Sequence, residues 1–223
     1  QGWPESKRSC ISSEVRLTPV TPARGGVYLL LFFMATLVAA STVHAEAWMD
    51  AVSELRHQWA HIKYQLPKAG REQAFARLYD RARQVRTAYP RRAESWIWEG
   101  VILADYAAEH RGLRALKMIR QSRHLFEQAL AIDPGAMNGG AYTQLGTLYF
   151  EVPGWPIGFG DFDKARRLLE QGLSLSPDGL DANYFMGKFL LRRKRYRQAR
   201  LYLNRAIHAP NVPAARWLMQ AVG

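Results

Sequence analysis

The sequence predicts an all-α fold: a helical-hairpin solenoid of about four helix pairs, closed by a short C-terminal capping helix. Three observations predict it. From Glu46 onward apolar residues recur at steps of three and four, the spacing of one helix face. Prolines close the segments at repeating intervals, and glycines recur inside predicted helices at one register, against helix propensity.

The first helix carries Trp48, Val52, Leu55, Trp59, Ile62 and Leu66 and stops at Pro67 and Gly70. The second places Phe75, Leu78, Ala82, Val85 and Tyr89 on one face before Pro90. A third starts near Glu94, with Ile97, Val101 and Ala104 inward; a fourth holds Leu116, Ile119, Phe126, Ala129 and Leu130 and ends at Asp133-Pro134-Gly135. The fifth has Tyr142, Leu145 and Tyr149. The sixth, capped by Asp161, has Ala165, Leu168, Leu169 and Leu173 before Ser176-Pro177-Asp178. Phe185, Met186, Phe189 and Leu190 mark the seventh; Tyr196, Ala199, Leu203 and Ile207 mark the eighth. A ninth, around Ala214 to Val222, is expected to cover the open end. Short turns between successive helices imply antiparallel neighbours.

The pairs repeat. Pro90, Pro134, Pro177 and Pro210 each close a pair, with spacings of 44, 43 and 33 residues. Gly100, Gly146 and Gly187 lie in the first helices, and Ser122, Ala165 and Ala199 follow them by 22, 19 and 12 residues. A helical Gly costs roughly 1 kcal/mol against Ala, so three at one register require a reason, and close backbone approach between paired helices supplies it. This register resembles the tetratricopeptide repeat, a helical hairpin of about 34 residues. The last pair has that family's interval. The other two carry 10 and 7 extra residues, expected between their helices. The Trp48–Pro90 pair is a weaker member, with Leu78 where a small residue belongs.

The stretches Glu94–Gly100, Gly139–Tyr149 and Val152–Asp161 (VPGWPIGFGD) resemble bacterial exported tetratricopeptide-repeat proteins over about residues 47–210. More remotely they resemble the periplasmic T-component of TRAP transporters, which implies a protein that handles small organic ligands beside a binding-protein partner.

Composition bounds the rest. The 223 residues carry 48% hydrophobic side chains, too many for wholesale disorder and ordinary for a packed domain. A single cysteine excludes a disulfide scaffold and a multi-cysteine zinc site. The net charge of +12 admits anionic partners without selecting one. Val27 to Ala40 is an uncharged apolar run after Arg24, too short for the roughly 20 residues of a membrane span. With Val43 and Ala45 behind it, it reads as a signal peptide cut after Ala45, or one residue later; an uncut anchor is the alternative. Residues 1–26 are expected to be a disordered extension, 27–45 the signal region, and 46–223 the repeat domain. That places the protein in the periplasm, or otherwise exported, without a cysteine once cut.

The sequence shows no nucleophile elbow, ordered triad or carboxylate pair, which argues against an enzyme. No cofactor is expected. His57 and His61 share a helix face, but they lack the Glu of a zinc-protease motif and a third ligand, so no metal is expected. The insertion from Glu151 to Asp161 is the leading functional candidate: its glycines and prolines shape a stiff loop, and Trp155 and Phe159 are potential anchors. The competing reading folds Trp155 and Phe159 back as a plug over the stack. A second insertion, Ala107 to Lys117, is expected to project from the same edge, where the two form a pocket wall together; the alternative is an extended helix with no ligand. Asn138, Tyr142, Tyr149, Asn183 and Tyr184 lie on first helices, whose exposed faces line the concave side of such a solenoid. The basic run Arg192–Arg195, with Arg197 and Arg200 beyond, reads as a solvated turn; the alternative is contact with phosphate, an acidic protein or membrane headgroups. These residues predict a non-catalytic scaffold with a protein or peptide in its groove; the alternative is an accessory component binding a small organic molecule. Nucleic acid is not expected, and membrane contact is expected only through the N-terminal segment.

Overall fold

The computed structural model describes residues 47–210, all within one unit that spans 45–223. The N-terminal extension, the signal segment and the ninth helix lie outside the described residues. Eight helices follow one another: α1 (47–60, continued by a π-helical turn at His61–Gln65), α2 (Lys68–Ala88), α3 (Ala93–Ala108), α4 (Gly112–Ile132), α5 (Ala136–Glu151), α6 (Phe162–Leu175), α7 (Leu180–Arg192) and α8 (Tyr196–Ile207). No strand occurs among the described residues.

The register glycines sit where the helices of a pair touch. A Cβ on Gly100 would lie 2.6 Å from the ring of Phe126, one on Gly146 would lie 2.9 Å from Leu169 Cγ, and one on Gly187 would lie 2.7 Å from Leu203 Cγ. Phe126, Leu169 and Leu203 each stand one helical turn after Ser122, Ala165 and Ala199. Ser122 also donates its hydroxyl to the Gly100 carbonyl at 2.7 Å. Three hairpins thus share one contact, in which a side chain of the second helix occupies the space left by the glycine. Burying Phe126 completely stabilises the first of them by about 1.5–3 kcal/mol.

The two insertions are accommodated differently. α5 and α7 both end five residues after their glycine, and α6 and α8 both begin three residues before their alanine. The extra residues of the α5–α6 pair therefore all lie in the loop 152–161. In the α3–α4 pair, by contrast, α3 runs three residues further and α4 starts seven earlier, so this insertion is helix. The extended-helix alternative is the one observed, and the expectation that the extra residues lie between helices holds for the α5–α6 pair alone. The lengthened hairpin packs on the first half of α2: Tyr106 stacks near Tyr79, Gln121 donates to the Tyr79 hydroxyl at 2.8 Å, and His110 Nδ1 lies 3.6 Å from Glu72 Oε1.

Two apolar clusters meet at α3. Leu55, Ile62, Phe75, Leu78, Val85 and Ile102 form one across α1, α2 and α3; Ile97, Phe126, Leu145, Leu169, Met186 and Phe189 are among those forming the other. Because α3 buries both sides, its sequence is apolar almost all round. Buried within it is Glu99, whose carboxylate is bonded to Arg86 of α2; the same guanidinium stacks on Trp96.

Candidate functional site

The loop 152–161 is tied to the fold at several points. Gly158 N–H donates to Gly154 O, Gly160 N–H to Pro153 O, and Asp161 N–H to Tyr149 O. Side chains on Gly158 and Gly160 would collide with the Pro153 and Val152 carbonyls, which explains the glycines. Phe159 turns inward, edge-on to Tyr149 with ring centroids 5.3 Å apart, and Arg123 covers it at 4.6 Å. Trp155 is 90% exposed, with Ile157 exposed beside it. The plug is therefore Phe159 alone, which withdraws it as a partner-binding residue, while Trp155 projects into solvent. Asp161 accepts from the N–H groups of Asp163 and Lys164 and caps α6. Those backbone bonds, Lys164's first, hold its carboxyl below the ordinary range.

The remaining sequence candidates separate. Asn183 is wholly buried; its Nδ2 donates to the carbonyls of Pro177 and Gly179 and fixes the turn into α7. Tyr149 is buried under Phe159 and Lys164. Neither faces a groove, and both readings are corrected. Tyr142 is half-buried against the main cluster. Asn138 is exposed in an unusual stretch at the start of α5, where Met137, Asn138 and Gly139 all have positive φ (51°, 55° and 80°). Tyr184 is exposed on α7. Of the α3–α4 insertion, Tyr106 and His110 meet α2, whereas residues 111–114 at its tip are exposed.

The first helices form a face of their own. Trp59 Nε1 of α1 donates to Asp105 of α3 at 2.6 Å, and Lys63 pairs with the same carboxylate. Burial raises the Tyr64 phenol above its ordinary pKa, and the charges of Asp105 and of Tyr184 and Asp181 on α7 raise it further.

On the same helices lies a cavity of ≈ 410 Å³, open to solvent, bounded by α1, by Glu94 and Trp98 of α3, and by Met137 of α5. Trp48, Met49 and Val52 supply its apolar wall on α1; Asp50, Ser53 and Arg56 supply the polar one. Arg56 bonds Ser53 through one terminal nitrogen, while its Nε is buried without a hydrogen-bond partner. Arg92 stacks over Trp48 at 4.7 Å. Sequence reasoning missed this cavity. Trp48 and Val52 were assigned to a buried stripe, and nothing in their spacing shows that Met137, 85 residues after Val52, faces them.

Among the described residues no three His, Cys, Asp or Glu side chains gather as a metal site would require, and His61 Nδ1 is 2.8 Å from Gln65 Oε1. No described helix is long and apolar enough to cross a membrane.

The tetratricopeptide repeat family model matches residues 157–221. No curated protein matches the chain. Solved structures do, among them one titled "Crystal structure of MamA", 17% identical over 61% of this chain and 88% of that one, with a TM-score of 0.32. That likeness is too distant to add to the fold assignment. The family match over 157–221 and the shared glycine contact of three successive hairpins support a tetratricopeptide-repeat protein with an all-α, solenoid-type fold.

Proposed function

We propose that this protein is a non-catalytic scaffold that holds a peptide segment of a protein partner against the face formed by α1, α3 and α5. Tetratricopeptide repeats generally mediate protein–protein interaction, and stacked repeats offer extended surfaces for it. The observation that carries the reading is the open cavity with Met49 and Met137 exposed at its edge and Asp50, Ser53 and Arg56 in its polar wall. Methionines adapt to varied apolar side chains, and the polar wall beside them offers hydrogen-bonding groups to a peptide backbone. An apolar side chain on such a backbone is the expected ligand element. The apolar run Val27–Ala40 supports an exported, periplasmic setting for this scaffold.

Selection of a random-peptide display library on the purified chain tests the proposal. The expected result is one enriched apolar motif whose affinity falls at least about tenfold, or 1.4 kcal/mol, in the Met49→Asp/Met137→Asp variant with thermal unfolding unchanged. Failure to enrich a motif, or equal binding by the variant, rejects it. A small organic ligand has the cavity's volume in its favour, but the wide opening suits a peptide better.

A further inference from the structure

The charge of the described residues is concentrated at one end. Residues 47–181 hold 18 Lys and Arg against 16 Asp and Glu, whereas residues 182–210 hold eight Lys and Arg and no acidic residue. Of those eight, Lys188 pairs with Glu151; Arg192, Arg193, Lys194, Arg195, Arg197, Arg200 and Arg205 form no ion pair with any described carboxylate.

The turn between α7 and α8 retains these cations against local backbone preference. α7 ends in a Schellman closure, with Lys194 N–H bonded to Leu191 O and Arg195 N–H to Leu190 O. That closure puts its central residue in the left-handed region, where glycine is favoured, yet Lys194 occupies it at φ 58°. Arg195 then stands at the N-cap of α8 without a side-chain cap, and the first turn has no acidic residue. Both features oppose helix starts, where an acceptor and negative charge stabilise. α6 has them, in Asp161 and Asp163. The α7 dipole favours the cations before the turn, but it does not explain those after it.

Lys194, Arg195, Tyr196, Arg197 and Gln198 border a shallow recess of ≈ 470 Å³, and Tyr196 (64% exposed) and Leu201 are apolar side chains open to solvent among the cations. We infer that the α7–α8 turn is a docking surface for an anionic phospholipid membrane. Lys194, Arg195 and Arg197 border a shallow recess at an exposed turn and pair with no described carboxylate, which suits a planar array of mobile headgroup phosphates more than the fixed carboxylates of a peptide. Tyr196, exposed beside Lys194, Arg195 and Arg197, offers an amphipathic ring to the interfacial layer while the cations meet phosphate. This contact is separate from the cavity on the α1–α3–α5 face and from the N-terminal apolar run.

Vesicle flotation of the full chain tests it, with phosphatidylglycerol-containing vesicles against pure phosphatidylcholine. Binding to phosphatidylcholine reports what the N-terminal apolar run contributes alone. The wild type is expected to partition at least about tenfold more onto the anionic vesicles and to lose that excess as salt rises. Lys194→Gln/Arg195→Gln/Arg197→Gln, with unfolding checked by circular dichroism, is expected to remove most of the excess and leave phosphatidylcholine binding unchanged. Equal partition onto both vesicle types overturns the inference without touching the peptide-binding proposal. So does an unchanged excess in the folded triple variant. Saturable binding of polyglutamate with no vesicle excess assigns the turn to an acidic protein instead and overturns it as well.

Discussion

The Phe126 ring fills the space that a side chain on Gly100 would need, with 2.6 Å between Cε1 and a Cβ built on the glycine. An exposed helical Gly→Ala change usually gains about 1 kcal/mol. Here the ring is wholly buried and overpacking outweighs that gain. Gly100→Ala is expected to lower stability by about 1–2 kcal/mol in urea unfolding. A stabilised variant contradicts the close-approach account of the repeat.

The two aromatic residues of the 152–161 loop are expected to behave oppositely. Phe159→Ala removes a ring held between Tyr149 and Arg123 and is expected to cost about 1–3 kcal/mol. Trp155→Ala removes a ring in solvent and is expected to stay within about 0.5 kcal/mol. Thermal unfolding of both variants decides; equal losses mean that Trp155 packs against the fold.

Glu99 and Arg86 form an asymmetric pair. Burial raises the Glu99 pKa, and Arg86, by hydrogen bond and charge, opposes it. Arg86→Ala strands a buried carboxylate and is expected to cost about 3–5 kcal/mol near neutral pH. Glu99→Gln removes the charge and keeps an acceptor for Arg86; its cost is expected to be below about 1.5 kcal/mol. A raised acid pKa in the folded state means that this group's contribution declines as pH climbs through the ordinary carboxylate range toward the raised value. The Arg86→Ala deficit is therefore expected to narrow at pH 5 relative to pH 8. Denaturant titrations at both values check this, and a deficit that widens on acidification would contradict it.

Lys194 occupies a glycine position. Lys194→Gly relieves the left-handed backbone and some cationic repulsion, and is expected to raise stability by about 1 kcal/mol. A loss of stability in calorimetry would show that the lysine side chain makes a contact the structure does not reveal.

Much of the fold was legible because it rests on local chemistry: Gly100, Gly146 and Gly187 against Ser122, Ala165 and Ala199, prolines at pair ends, and Asp161 at its cap. The α3–α4 insertion was legible only to a choice between a pocket wall and a lengthened helix. Its residues are helix-compatible, but only Glu72 and Tyr79 of α2, brought up in space, give the longer hairpin something to pack on. The site was less legible still. Asn183 looks like a groove residue by type, yet it is buried and its Nδ2 is spent on Pro177 and Gly179, and a polar side chain that ties a turn cannot be told by spacing from one that awaits a ligand. The cavity joins residues of three helices, a relation no single periodicity carries.

The most direct test of the peptide-binding claim is site-specific photocrosslinking, with a benzophenone side chain at position 137, on the α5 rim of the cavity, or at position 166, exposed on α6. A display-selected peptide is expected to crosslink from 137 and not from 166. Crosslinking from 166 alone, or equally from both, contradicts the assignment of the peptide to the face of the first helices.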